Sequence, residues 1–234
     1  MSVADNIARI EERIQLAAKR AGRDASEVTL MAVSKTFPAP SIRQAYDAGI
    51  RVFGENRVQE FAGKFDALCG LAGADWHLIG HLQTNKAAKA AELFHAVDSV
   101  DSVRLAKKLN EAAASGGKKL LVLVELNVGG EAAKTGMPAD SAEFDQLLSL
   151  APELEHLQIR GLMTVPPYTE DPQEARPFFR KLREIRDQVA RRQLPGVSME
   201  ILSMGMSHDF EVATEEGSTC VRVGTGIFGE REKP

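Results

Sequence analysis

The stretch "VTLMAVSKTFPAP", residues 28–40, decides the fold. From Val28 to Val33 it is an apolar run of strand length. It ends in Ser34 and Lys35, and a Phe-Pro turn follows at once. Two architectures join parallel strands through helices: an open doubly wound sheet and a closed barrel. The open sheet usually carries a glycine-rich turn after its first strand. "SKTFPAP" has no glycine, which argues for the barrel. The lysine at the strand end is either solvated, as charged side chains mostly are, or placed there for a ligand.

Upstream, Val3, Ile7, Ile10, Ile14 and Ala17 recur every three or four residues, and Gly22 stops the run. That period predicts an extra N-terminal helix. Downstream, short apolar runs alternate with amphipathic stretches. After 28–35, strands are predicted at 51–54, 76–80, 95–100, 119–128, 158–165, 197–205 and 219–229. Helices are predicted near 40–49, 55–68, 84–93, 101–114, 139–149, 172–192 and 207–216. In the sixth of these, Asp171 is placed to cap, Pro172 to open the first turn and Glu174 to complete a capping box. Behind them Ala175, Phe178, Phe179, Leu182, Ile185 and Val189 form one apolar stripe. Strict strand–helix alternation implies parallel strands with right-handed crossovers. Eight such units predict an α/β fold, the (β/α)₈ TIM barrel, for which about 250 residues is typical. No linker, repeat or low-complexity tract interrupts the chain, so residues 1–234 are expected to form a single barrel domain.

The bulk composition narrows the function. With 44% apolar and 26% charged residues, the chain can bury a sizeable core. A net charge of −4 gives no bulk attraction to nucleic acid or acidic membranes. No apolar run is long enough to span a bilayer, and the first residues carry acids throughout, unlike a signal peptide. Cys69 and Cys220 stand far apart in no metal-ligand spacing. The expectation is a cytoplasmic protein with free thiols, no metal, and neither nucleic acid nor membrane as partner.

In a TIM barrel the chemistry sits at the carboxyl ends of the strands, and phosphate groups commonly bind at the loops after the seventh and eighth. The seventh strand runs into "SMGMSHD", residues 203–209, where Ser203 and Gly205 lead to Ser207, a candidate helix cap. The eighth runs into "VRVGTGIFG", residues 221–229. There Gly224 and Gly226 let backbone N–H groups approach a ligand, and Thr225 adds a hydroxyl. Either loop alone reads as a turn whose glycines serve dihedral needs; the two together read as a phosphate site. Closure makes strand eight a neighbour of strand one. With Lys35 inward, Met31 and Val33 share its face; on strand eight Arg222 and Cys220 point inward, while Val221 and Val223 meet the helices. An inward arginine beside an inward lysine is costly without an anion or polar ligand. The other reading of Arg222 is an exposed strand-end cation. A phosphorylated aromatic aldehyde fits both groups, its carbonyl forming a Schiff base with Lys35 and its ring nitrogen facing Arg222.

Six motifs occur in order: "AVSKTFP" (32–38), "FGENRVQE" (53–60), "WHLIGHLQTNK" (76–86), "GLMTVPP" (161–167), "LSMGMSHDFEVA" (202–213) and "GSTCVRVGTGIFG" (217–229). Together they resemble the pyridoxal phosphate homeostasis protein family, small relatives of the alanine racemase N-terminal barrel, nearly end to end. The resemblance implies that Lys35 carries pyridoxal 5′-phosphate as a Schiff base. It implies that Ser203, Gly224 and Thr225 bind the phosphate, that Gly205 in the same loop system also binds the cofactor, and that Arg222 meets the pyridine nitrogen. It further implies that Asn56 and Met163 line the cofactor pocket. His81 and Cys220 stand at motif positions expected to vary and receive no role.

The same resemblance implies a role in intracellular pyridoxal phosphate homeostasis, with no catalytic residue assigned. Racemases of this lineage carry a second, β-rich domain that supplies a second proton-transfer group. Here the sequence ends in "EREKP", five residues after Gly229. The expectation is therefore a monomeric cofactor carrier without robust catalytic activity, with pyridoxal-phosphate-dependent apo-enzymes as acceptors. The alternatives are a racemase-like or transaminase-like enzyme, and an aldolase-type lyase in which Lys35 attacks a sugar phosphate directly.

Three lesser features each admit two readings or a bland one. Asn85 and Lys86 are either a polar lip of the active-site mouth or a helix start capped by Thr84 beside a solvated lysine. His77 and His81 lie four apart across a strand end, and a metal site would need further ligands. The basic run "FFRKLREIRDQVARR", residues 178–192, reads as a solvated helix face.

Overall fold

The computed structural model describes residues 1–131 and 135–230. Residues 231–234, most of the polar tail, lie outside that set. Helix α1 (Val3–Arg20) opens on a capping box: the Ser2 hydroxyl accepts from the Asp5 amide, and the Asp5 carboxylate accepts from the Ser2 amide. Its stripe of Ile7, Ile10, Ile14 and Ala17 is buried as its period requires. Then come β1 (Thr29–Val33), α2 (Ala39–Asp47), β2 (Val52–Glu55), α3 (Val58–Ala62), α4 (Phe65–Leu68), β3 (Asp75–Leu78), α5 (Ala87–Leu93), β4 (Ala96–Val100) and α6 (Val103–Ser115). The second half holds β5 (Leu120–Asn127), β6 (Met137–Pro138), α7 (Ala142–Ser149), β7 (Leu157–Met163), α8 (Arg176–Arg191), β8 (Val197–Met206), α9 (Phe210–Glu215), β9 (Cys220–Val223) and α10 (Thr225–Phe228).

The strands pair in the order β4-β3-β2-β1-β9-β8-β7-β5, and a β4–β5 pairing closes the ring. Every pairing is parallel, so the eight strands make the TIM barrel expected from the alternation. Met31 stands opposite Arg222, and Val33 opposite Gly54. Side chains divide by parity. Leu30, Ala32, Val221 and Val223 join the large apolar cluster with the helices, while Met31, Cys220 and Arg222 face the barrel interior. Helix α1 braces the site end: Asn6 Nδ2 donates to the Ile227 carbonyl at 2.9 Å.

Several local expectations are corrected. Strand β1 stops at Val33, and Lys35 lies in the turn beyond it. The stretch 219–229 is not one strand, since Gly224 caps a one-turn helix, α10. The helix expected at 55–68 breaks at Gly63 into α3 and α4. Asp171 does cap, accepting from the Gln173 amide, but what it caps is a 3₁₀ turn, Pro172–Ala175, and α8 starts at Arg176. No bond from the Glu174 side chain completes a capping box there. Thr84 is the first residue of a 3₁₀ turn and caps nothing. Residue 209, not Ser207, is the cap of α9. The short β6, which adds Met137 beside Leu126, carries no strand signal in the sequence. The basic face of α8 is not merely solvated: Arg176, Arg180 and Arg183 converge on Glu216, whose side chain is 6% exposed.

Candidate functional site

At the carboxyl ends of β1, β2, β8 and β9 lies a cavity of about 370 Å³. Larger concavities exist, one between α5 and α6 and one against β7 and β8 near their first residues, but neither includes Lys35, Asn56, Arg222, Gly224 or Thr225. Lys35, Asn56, Arg222, Gly224 and Thr225 all line the 370 Å³ cavity. Lys35 comes from the turn after β1, on the same side as Val33, which also lines it. Asn56 follows β2, and its main chain is pressed by Gly80. A Cβ at Gly80 would collide with the Asn56 carbonyl, so only glycine allows the two loops to approach this closely.

Arg222 is 3% exposed. One terminal nitrogen donates to Ser203 Oγ at 2.7 Å and the other to the Thr164 carbonyl at 2.7 Å. Burial pushes its pKa down, opposed by the carboxylates of Asp98, Glu125 and Asp209. Guanidinium starts so high that the group stays cationic. The result is a fixed, largely desolvated positive charge in the wall of the cavity. The Cys220 thiol, also on the interior face, is pushed up to about 12 by burial and stays protonated.

The remaining expected residues lie just beneath this layer. Met163 pairs with Glu125 on one side and Ser203 on the other, and Ser203 pairs with Cys220. Met163 and Ser203 are buried and do not line the cavity; Ser203 acts on it through Arg222. Gly205 has φ +93°, and a Cβ there would come within 2.5 Å of Ala213 Cβ, so it seats β8 against α9. The hydroxyl that reaches the cavity from this loop belongs to Ser207. Its Oγ accepts from the Gly224 amide at 3.3 Å and lies 3.3 Å from Thr225 Oγ1. The loop is pinned by Asp209, whose Oδ1 accepts from the Met206 amide at 2.6 Å. Burial raises the Asp209 carboxyl against that bond and the charge of Arg222.

The rim holds residues to which the sequence assigns no role. His208 lines the cavity, its Nε2 lies 3.1 Å from the Glu170 carbonyl, and the Tyr168 ring lies tilted against it with centroids 5.7 Å apart. Both lie inside or beside the six motifs, but nothing in "SHD" or "PPY" signals that the two loops meet. Asn85 and Lys86 are not part of this mouth; Asn85 lines the cleft between α5 and α6. His77 and His81 each face an aspartate, Asp98 at 2.9 Å and Asp101 at 3.0 Å. Among the described residues no group of three or more metal-ligating side chains converges.

Relatives match the chain over nearly its whole length. The pyridoxal phosphate homeostasis protein of Aquifex aeolicus is 45% identical over 232 residues, covering 99% of this chain and 100% of the relative. That of Escherichia coli K12 is 41% identical over 234 residues, covering 98% of this chain and 97% of the relative. The chain belongs to the pyridoxal phosphate homeostasis protein family. Residues 6–232 also match the family described as alanine racemase, N-terminal domain. PipY of Synechococcus elongatus, solved with PLP bound, superposes with a TM-score of 0.80 at 40% identity, covering 94% of this chain and all of PipY. The family's barrel is thus shared at the level of both sequence and coordinates.

Proposed function

We propose that this chain binds pyridoxal 5′-phosphate in the cavity at Lys35 and serves the homeostasis of that cofactor by holding and releasing it. The observation that carries the reading is the convergence of three unlike groups on one cavity: a primary amine, a buried guanidinium and a cluster of hydroxyls with backbone amides. They match, in kind, an aldehyde, a ring nitrogen and a phosphate. The cavity volume falls in the range of about 300–1,000 Å³ usual for small-molecule sites. The family's name, and the PLP held by PipY, support the same assignment.

When bound, pyridoxal phosphate supplies an aldehyde that condenses reversibly with amines and a ring that withdraws electrons. Lys35, whose side chain lines the cavity, would hold the group at its aldehyde through Nζ. Arg222 would present positive charge to the ring nitrogen and so would disfavour its protonation, weakening electron withdrawal. Ser207, Thr225 and the amides that open α10 take the phosphate, since the first amides of a helical turn lack acceptors within it. Tyr168 at the rim is 80% exposed, and on this reading free amines enter past it. An open site with a weakly polarised ring suits a carrier better than a catalyst. The acceptors on this reading are apo-enzymes that need the cofactor. The protein works as a monomer in the cytoplasm, where Cys69 and Cys220, both free thiols, remain reduced. Among the described residues, no helix is long and apolar enough to cross a membrane.

The loaded protein, incubated with each L- and D-amino acid in deuterated water, tests carrier against catalyst. Enzymes typically turn over at about 1–10³ per second, and α-proton exchange is expected at least about a thousandfold below the lower end of that range. In parallel, cofactor transfer to an apo-transaminase should proceed from the loaded protein. Rapid, stereochemically clean turnover of one amino acid, abolished by Lys35→Ala, would establish the racemase-like alternative instead.

A further inference from the structure

The peptide units on either side of Lys35 are gripped by a charged cluster outside the cavity. Thr36 has φ +68°, in the left-handed region that β-branched residues rarely adopt. Its amide donates to Glu60 Oε1 at 2.5 Å, and the same oxygen lies 3.0 Å from Lys64 Nζ. Lys64 Nζ also reaches the two Glu55 oxygens at 2.9 and 3.1 Å. The Ser34 and Phe37 carbonyls lie 3.3 and 3.4 Å from it. Ser34 Oγ donates to Glu55 Oε1 at 2.7 Å. An ammonium has three N–H donors, so these oxygens share them around one centre. Glu55 ends β2 and precedes Asn56. One cluster therefore fixes both strand ends that supply Lys35 and Asn56 to the cavity.

The cluster is costly. The Glu55 side chain is 0% exposed and that of Lys64 13%. Burial pushes the Glu55 carboxyl up, against the attraction of Lys64 and the bond from Ser34. Burial also pushes Glu60 up, but the Thr36 amide and Lys64 outweigh it and hold that carboxyl below its ordinary range. An apolar anchor could hold a loop without desolvating three charges. What these charges add is direction, since each bond fixes a particular peptide group next to Lys35.

We propose that Glu55, Glu60 and Lys64 are positioning residues that lock the Ser34–Phe37 turn and thereby present Lys35 Nζ to an aldehyde in the cavity. This rests on the reading of Lys35 as the amine that takes pyridoxal phosphate. The test compares wild type, Glu60→Ala and the double variant Glu60→Ala/Thr36→Gly. Glycine adopts positive φ without the Cβ penalty, so it should replace the grip of Glu60 if that grip serves to hold the turn. Circular dichroism and thermal melting check the fold. Two readouts are taken: pyridoxal phosphate affinity from absorbance, and the rate of reductive methylation of Lys35 by formaldehyde, with cyanoborohydride as hydride donor, in ligand-free protein. Exposed Lys107 serves as the internal reference.

Glu60→Ala should weaken pyridoxal phosphate binding by about tenfold, a scale consistent with the cost of one strained residue. It should also slow Lys35 methylation relative to Lys107, and Thr36→Gly should restore most of both losses. Affinity and rate within about twofold of wild type in Glu60→Ala would overturn the proposal. So would a loss that Thr36→Gly leaves unrepaired, which would make Glu60 a general support of the fold. If wild type forms no adduct with pyridoxal phosphate at Lys35, the functional reading fails alone. The methylation rates, measured without that cofactor, still decide the role of the cluster.

Discussion

Arg222 spends both terminal nitrogens on protein acceptors, Ser203 Oγ and the Thr164 carbonyl, so its charge is fixed before any ligand arrives. Arg222→Glu should therefore do two things. The bound cofactor's absorption should shift and its ring nitrogen should take up a proton at higher pH, because an acid replaces a cation. Stability should fall by roughly 1–3 kcal/mol as a buried acceptor loses its donor. Absorption spectra across pH and urea midpoints check both; an unchanged spectrum at full occupancy would place Arg222 away from the ring. His77 offers an independent test of the interior. Burial pushes its pKa down, but the charge and hydrogen bond of Asp98 outweigh this, and the net direction is up. A raised folded value means that the pair's contribution is fully present below about pH 6.5 and is lost as pH rises through the folded value. His77→Gln should thus destabilise more at pH 5.5 than at pH 8.5 in urea titrations; an equal cost at both would deny the coupling. At this scale the meeting of Lys35 and Arg222 at one cavity is legible in the sequence because barrel closure sets β1 beside β9, although Lys35 itself stands in the turn beyond its strand. The roles of Ser203 and Ser207 are not: both sit in one short motif, and only the bend at Gly205 decides which hydroxyl supports Arg222 and which reaches the cavity.

The elements are legible where period speaks for itself. The stripe of α1 and most of the α8 stripe are buried as the spacing requires, with Phe178 and Ile185 only partly covered. Boundaries escape the pattern where a single local choice competes with it. Pro172 permits a 3₁₀ turn as readily as a helix start, and Gly224 ends β9 so that the next residues coil into α10. Glu55 and Glu60 stand in the motif "FGENRVQE", but nothing in it signals that they join Lys64 in an ion cluster behind Lys35. Glu55, Glu60 and Lys64 look like ordinary surface charges until α3 and α4 fold back on the β1 turn. Gly205 is the element-scale test. It has φ +93°, and a methyl group on its Cα would stand 2.5 Å from Ala213 Cβ, so Gly205→Ala must displace α9 and the Ser207 loop together. A loss of roughly 1–3 kcal/mol is expected from overpacking alone, with weakened cofactor binding beside it. Full stability and affinity in this variant would show that β8 and α9 do not hold the loop.

For the whole molecule, barrel closure is the step that turns a list of motifs into a site. Only the pairing of β1 with β9 brings residue 35 beside residues 222–225, almost two hundred positions away in the chain. The alternation of strands and helices makes that closure foreseeable. The open face at Tyr168 and His208 is not foreseeable, since it depends on which loops meet above the barrel. On the proposed reading Lys35 is the amine that takes pyridoxal phosphate. Lys64 and Lys86 are the competing amines on neighbouring loops, and Lys64 is engaged by two carboxylates. The direct measurement is borohydride reduction of the protein loaded with pyridoxal phosphate, followed by peptide mapping by mass spectrometry. One pyridoxyl group on the peptide containing Lys35 is the predicted result; its appearance on Lys64 or Lys86 instead, or on no peptide at all, would contradict the account.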